Sequence, residues 1–293
     1  MNTKLSKRIA PYLLLLPVAI LLLFFILGLA NGIMQSFGYA PFMNMTEPTL
    51  DYYIKALQDE RILGAIGYSL YLATVCTVAS TVGAIALSAA LTRVGAGNRL
   101  KLFAINMPLS VAHIVVVVLI IVMCGSSGMI PRLLFALGII DSIQSIPTVI
   151  GAPSGWGIVL VFMFKEIPYI ALCTIAIMMN IGKRYSEASA CLGANPLCTF
   201  FTVTLPLCKN AIMRAALVVF AFAFGSYEIP FLLAPSSPKT IAVLAFFEFQ
   251  NNDITNRCYA MTLVVVMIVI TLIIATIYFV LMNRERKELN KDA

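Results

Sequence analysis

The stretch Leu13–Gly28 reads LLLLPVAILLLFFILG, sixteen residues without a single charge. As a helix, with its apolar flanks it runs from about Pro11 to Met34 and crosses roughly 30 Å of hydrocarbon at about 1.5 Å per residue. Five further stretches share this character: Ile66–Leu91, Leu102–Cys124, Trp156–Ile181, Ala211–Ala234 and Cys258–Met282. A chain in lipid must satisfy its own backbone hydrogen bonds, and apolar runs this long do so as helices rather than as barrel strands. Composition agrees. The 293 residues are 61% hydrophobic and 11% charged, with a mean hydropathy of +0.96. A soluble domain carries roughly twice that share of charge. The expected class is an all-α polytopic integral membrane protein with six transmembrane helices. Lys4, Lys7 and Arg8 precede the first stretch as in a signal peptide, but its apolar core exceeds the usual signal length, so it reads as an uncleaved span.

The net charge of +7 is a matter of topology. One side of the bilayer receives Lys4, Lys7, Arg8, Arg93, Arg99, Lys101, Lys183, Arg184, Lys209, Arg214, Arg284, Arg286, Lys287 and Lys291. The other receives Lys55, Arg61, Arg132, Lys239 and Arg257, and Lys165 falls within a span. The side rich in Lys and Arg faces the cytoplasm, so both termini are expected there. The charge excess therefore gives no reason to expect a nucleic-acid partner. Two outer loops are long, Gly125–Gly155 and Pro235–Arg257. The first contains an apolar stretch, Met129–Ile140, too short to span and expected to be re-entrant or interfacial. The outer loops also carry seven acids: Glu47, Asp51, Asp59, Glu60, Asp141, Glu248 and Asp253.

Enzyme chemistry finds little to build on. Gly125-Ser126-Ser127-Gly128 fits the G-x-S-G of rhomboid-type intramembrane proteases, but His113, the sole histidine, lies fourteen residues upstream of Ser127. On one helix that is about 21 Å away, out of hydrogen-bonding reach of a nucleophile. The seven cysteines (Cys76, Cys124, Cys173, Cys191, Cys198, Cys208 and Cys258) contain no C-x-x-C and read as small apolar residues. With one histidine they outline no metal site. Gly182-Lys183 is followed by arginine, so no P-loop is present, and ATP, if used, is bound by another chain.

The loop between the fourth and fifth spans is the most informative segment. It reads KRYSEASACLGANP over residues 183–196 and continues to Thr204-Leu205-Pro206. Ser186 is a natural helix N-cap with Glu187 in the first turn. Ala188, Ser189 and Ala190 allow another backbone to approach closely, while Gly193 and Pro196 end the helix. The segment resembles the EAA loop of the inner-membrane permeases of bacterial binding-protein-dependent ABC importers. That pattern is E-A-A, three residues, G, nine residues, then I-x-L-P. Here Glu187-Ala188-Ser189 leads after three residues to Gly193, and nine more lead to Val203-Thr204-Leu205-Pro206, with Ser189 and Val203 as the departures.

The resemblance covers nearly the whole chain and implies a type I ABC importer permease fold. Residues 1–61 would hold the N-terminus, a non-homologous first span and an external loop. Residues 62–282 would form the five-span core, with the coupling loop at about 182–210, and 283–293 a cytoplasmic tail. It further implies a coupling helix near Glu187–Gly193 that seats in a cytoplasmic ATPase dimer. ATP and Mg²⁺ would be held there, with no cofactor and no catalysis in this chain. The implied partners are a second permease subunit, as a copy or a paralogue, and an extracytoplasmic solute-binding protein. The implied location is the bacterial inner membrane.

Charges inside spans mark candidate functional positions. Lys165-Glu166-Ile167-Pro168-Tyr169 lies in the fourth span, Lys165 about 14 Å from its outer end. Glu228-Ile229-Pro230-Phe231 lies in the fifth, about 26 Å from its inner end. Each pairs a glutamate with a proline two residues on, so both helices are expected to kink or break, and Lys165, Glu166, Tyr169, Glu228 and Pro230 are candidates for the solute path or its gate. The structural alternative is a salt bridge, Lys165 with Glu228 if the helices adjoin, or a glutamate bonded to freed backbone amides. Phe224–Leu233, with Asn252-Asp253-Ile254, Arg257, Tyr259, Ala260 and Met261, resembles the spermidine/putrescine-type branch, which implies a polyamine or related small cation. Permeases for ferric iron, thiamine, aminophosphonates and sugars share parts of the same pattern. A self-contained secondary transporter using Lys165, Glu166 and Glu228 is the rival of a different class.

Overall fold

The computed structural model describes residues 3–41, 45–94, 99–142, 149–181, 188–189 and 191–289. The described elements, in chain order, are α1 (Thr3–Ser36), α2 (Asp51–Gln58), α3 (Glu60–Val94), α4 (Arg99–Ser110), α5 (His113–Cys124), α6 (Met129–Ala136) and α7 (Trp156–Ile181). Then follow α8 (Pro196–Thr199), a π turn (Phe200–Thr204), α9 (Leu205–Gly225), α10 (Glu228–Leu233), α11 (Ile241–Phe249) and α12 (Asn256–Leu289). Among the described residues the only extended pairing is a single Ala40–Met45 bridge. Among the described residues six segments are long and apolar enough to cross a membrane: Leu14–Ser36, Glu60–Leu91, His113–Ala136, Trp156–Met178, Pro196–Gly225 and Asn256–Met282.

The chain divides into two compact units, Met1–Glu60 with Ala245–Ile268, and Arg61–Leu244 with Val269–Ala293. In the first, the end of α1 is fastened to the start of α12. The Thr262 hydroxyl donates to the Ser36 carbonyl at 2.9 Å, and the Ser36 and Tyr53 hydroxyls lie 2.7 Å apart. No residue in the most apolar window of the α1 span is buried within the chain.

The second unit is organised around α7, whose span is 56% buried. Lipid offers no hydrophobic drive for helix association, so close packing of small residues must supply it. The helices comply: Ala84 of α3, Ile170 and Ala171 of α7, and Cys208, Ile212, Ala215 and Val219 of α9 form one buried cluster. Gly83 lets Ile167 approach α3, since a Cβ at that position would stand 2.5 Å from the Ile167 Cδ1. Gly155, at the turn into α7, has φ +68°, and a Cβ there would fall 2.4 Å from Leu72 Cδ2. Gly155→Ala therefore combines left-handed strain with overpacking, an expected loss of about 2–4 kcal/mol. Thermal unfolding in detergent checks it.

Two span boundaries differ from the sequence expectation. The stretch Leu102–Cys124 is not one helix. Pro108 removes a donor, α4 stops at Ser110, and Ala112 is extended at φ −63° and ψ 145° before α5 begins. The apolar window continues past α5 to Ala136. The fifth span is Pro196–Gly225 rather than Ala211–Ala234. Asn195 and Pro196 end the preceding turn but also start a helix. The Asn195 side chain accepts from the Cys198 N–H at 2.8 Å, and Pro196 occupies the first turn, where its missing N–H costs nothing. The π turn then carries the helix into Pro206, with the Leu205 N–H reaching back to the Phe200 carbonyl. At the far end Ser226 is extended, and the chain restarts as α10. The break thus falls before Glu228 rather than at Pro230, which sits harmlessly in the first turn of α10. Pro168 lies inside α7 without breaking it.

Candidate functional site

The α4–α5 break frees backbone carbonyls that no longer have a helical partner, and each needs a donor. Lys165 supplies it. Its Nζ donates to the carbonyl of Leu109 at 3.2 Å and to that of Val111, and only 5% of the residue is exposed. The ammonium is thus committed to the broken helix, not to Glu228 as the ion-pair alternative supposed. Glu228 is exposed in the first turn of α10, while Pro230 is buried.

Lys165, Glu166 and Tyr169 are brought together. They line a cavity of about 310 Å³ with Leu109, His113 and Phe222. The His113 and Phe222 rings stand 5.2 Å apart, and Phe162 meets Phe222 edge-on at 6.0 Å, so the cavity has an aromatic wall. Tyr169 and Val218 are shared with a second cavity of about 320 Å³ that contains Asn210 and Arg214. Together the two form a groove along α7 and α9 from Phe222 to Leu207, about 22 Å of helix. It is apolar for most of its length, with Lys165 and Glu166 at one level and Arg214 at another. Such lining suits a polar solute that must be held weakly while crossing. Glu228 and Pro230 are not among the residues lining either cavity.

Arg214 is a cavity-lining residue that the sequence did not single out. Counted in the sequence as a charge at the cytoplasmic edge, it lies on the apolar helical segment Pro196–Gly225, about 16 Å from the Gly225 end. The signal that would have found it was Asn195-Pro196 taken as a helix start. His113 and Phe222 carried no signal beyond ordinary packing.

The loop ahead of α8 closes as the glycine demands. Gly193 has φ +82°, and the Ala194 N–H donates to the Ser189 carbonyl at 3.0 Å, the 6→1 bond of a Schellman closure. The hydroxyls of Ser189 and Thr199 lie 2.8 Å apart and tie this turn to α8. Ala188 and Gly193 are exposed, and Leu192 beside them is 88% exposed, a bare apolar knob. Leu205 instead packs against the α3–α7–α9 cluster, while Pro206 is exposed in the first turn of α9. Glu187 lies outside the described residues.

Comparison with known proteins decides the class. Residues 80–287 match the profile of the binding-protein-dependent transport system inner membrane component family. The chain belongs to that family. It is accordingly a multi-pass inner-membrane permease subunit of an ABC importer and not itself an enzyme. The sulfate transport system permease protein CysW of Synechococcus elongatus is 27% identical over 251 residues, 84% of this chain and 81% of that one. The inner membrane ABC transporter permease protein YdcU of Escherichia coli is 27% identical over 190 residues, 62% of this chain and 61% of that one. A solved bacterial ABC transporter involved in import of the acidic polysaccharide alginate superposes with a TM-score of 0.78 at 18% identity, covering 96% of this chain and 98% of the other. The permease fold and family stand as expected; the relatives do not single out the spermidine/putrescine branch.

Proposed function

We propose that this permease provides one half of the translocation path for a small anion, with the α7–α9 groove as its lining. Support comes from the groove itself: Lys165 and Arg214 outnumber Glu166 along it, and a mid-span guanidinium is costly unless it is used. The relatives add to this, since one is a sulfate system and a structural neighbour serves an acidic polysaccharide. In this reading an extracytoplasmic binding protein delivers the solute, as in the alginate transporter solved with its periplasmic protein. A second permease, a copy or a paralogue, completes the path. Both termini and the turn at Ala188–Gly193 face the cytoplasm. That turn, with Glu187, Ser189, Leu205 and Pro206 as the other matching positions of the coupling-loop pattern, seats in an ATPase dimer that holds ATP and Mg²⁺. A polyamine or related small cation is the second reading, favoured by the carboxylates of Glu166 and Glu228 and by the acidic outer loops.

The test is uptake by the assembled transporter in proteoliposomes, with labelled sulfate and labelled spermidine compared. Arg214→Gln is expected to leave assembly unchanged and to lower anion uptake about tenfold or more, the loss of one charge-assisted contact. Sulfate uptake unaltered by this change removes Arg214 from the path, and transport of spermidine alone supports the second reading.

A further inference from the structure

The short helix α2 has three faces, each of a different kind. At about 100° per residue, Tyr52, Ala56 and Tyr53 occupy one arc, and Ala56 is buried there with the two tyrosines half-buried. Leu57, Leu50 (one residue ahead of the helix) and Ile54 occupy the next arc and are 64%, 59% and 52% exposed. Gln58, Asp51 and Lys55 fill the third and are exposed. A water-facing helix has no use for the second arc, and a helix buried in protein has no use for the third.

The position of α2 says what the apolar arc meets. Tyr53 is hydrogen-bonded to Ser36 at 2.7 Å and packs on Phe37 with ring centroids 5.4 Å apart. Lys55 Nζ stands 4.8 Å over the Tyr259 ring. Ser36 closes one membrane span and Tyr259 lies four residues into another, so α2 is held at the level where two spans leave the hydrocarbon. A helix at that level with one face on protein, one apolar and one charged meets three media: protein, acyl chains and water.

We propose that α2 lies in the headgroup boundary of the bilayer, its Leu50–Ile54–Leu57 edge on the acyl chains and its Asp51–Lys55–Gln58 edge in water, and so fixes the depth of the first and last spans. This does not depend on the solute or on which side of the membrane α2 faces.

Single tryptophans read the arrangement directly. In full-length chain carrying Trp156→Phe and reconstituted in phosphatidylcholine nanodiscs, Ile54→Trp and Leu57→Trp should lose at least half their emission to lipids brominated near the top of the acyl chain. Both should change little with acrylamide. Asp51→Trp and Gln58→Trp should behave in the opposite way. If Ile54→Trp and Leu57→Trp are quenched by acrylamide as strongly as Asp51→Trp, the face is in water and the proposal fails. If they are shielded from both quenchers, protein covers the face and the proposal fails equally.

Discussion

Replacing Lys165 by methionine is expected to abolish most transport and to weaken the fold of the second unit. The ammonium is the donor for two carbonyls, Leu109 and Val111, released where α4 stops and α5 starts. Methionine fills similar volume but donates nothing, so both carbonyls lose their protein donor. A hydrogen bond to a charged group is worth about 1.5–3 kcal/mol, and the neighbouring Glu166, also buried, loses the cation beside it. A loss of about 3–5 kcal/mol follows, in line with breaking other buried charge arrangements. Uptake should fall at least tenfold, since the same break forms one wall of the groove. Lys165→Arg, which keeps the charge in a planar fork, should recover part of the stability but less of the transport. Uptake and unfolding temperature both unchanged in Lys165→Met would mean that the break is held by something else.

The second large effect is expected at Gly193. Its φ of +82° belongs to the left-handed region, and a Cβ there would touch nothing within 4 Å. Conformation, not crowding, is therefore the constraint. Valine costs upward of about 1–2 kcal/mol in that region and would open the Ala194–Ser189 closure, moving Leu192 away from its present position. Gly193→Val should insert normally, fail to retain the ATPase on gentle purification and lose uptake by more than tenfold. Asparagine tolerates the left-handed region, so Gly193→Asn should keep much of both. Equal loss from the two substitutions would indicate that the small surface itself, rather than the turn, makes the contact.

Much of this architecture is legible in the sequence because a bilayer leaves the chain few options. Windows of about 20 apolar residues with few charges read as spans, and six apolar helical segments are found among the described residues, the third and fifth displaced by several turns from the expected bounds. What misleads is punctuation. Asn195-Pro196 ends one helix and begins the next, and the sequence alone favours the ending, so the fifth span is read as starting at Ala211 when its helical segment starts at Pro196. Pro108 warns of a break but not that the helix resumes at His113. The glutamate–proline pairs at Glu166 and Glu228 look alike on paper, yet α7 continues through Pro168 while the chain breaks before Glu228. The partners of Lys165 are backbone carbonyls, which no residue pattern records. Gly193, by contrast, is read as a helix end, and its φ of +82° closes the turn there.

In the proposed function this chain is half of a path driven by a separate ATPase. This is tested most directly by purifying the chain with its partners and measuring solute uptake into liposomes with and without ATP at the cytoplasmic side. ATP-dependent uptake that disappears when the ATPase or the second permease is removed is the predicted result. Uptake by this chain alone, unaffected by ATP, would contradict the account and would return Lys165, Glu166 and Glu228 to the role of ion sites in a self-contained transporter.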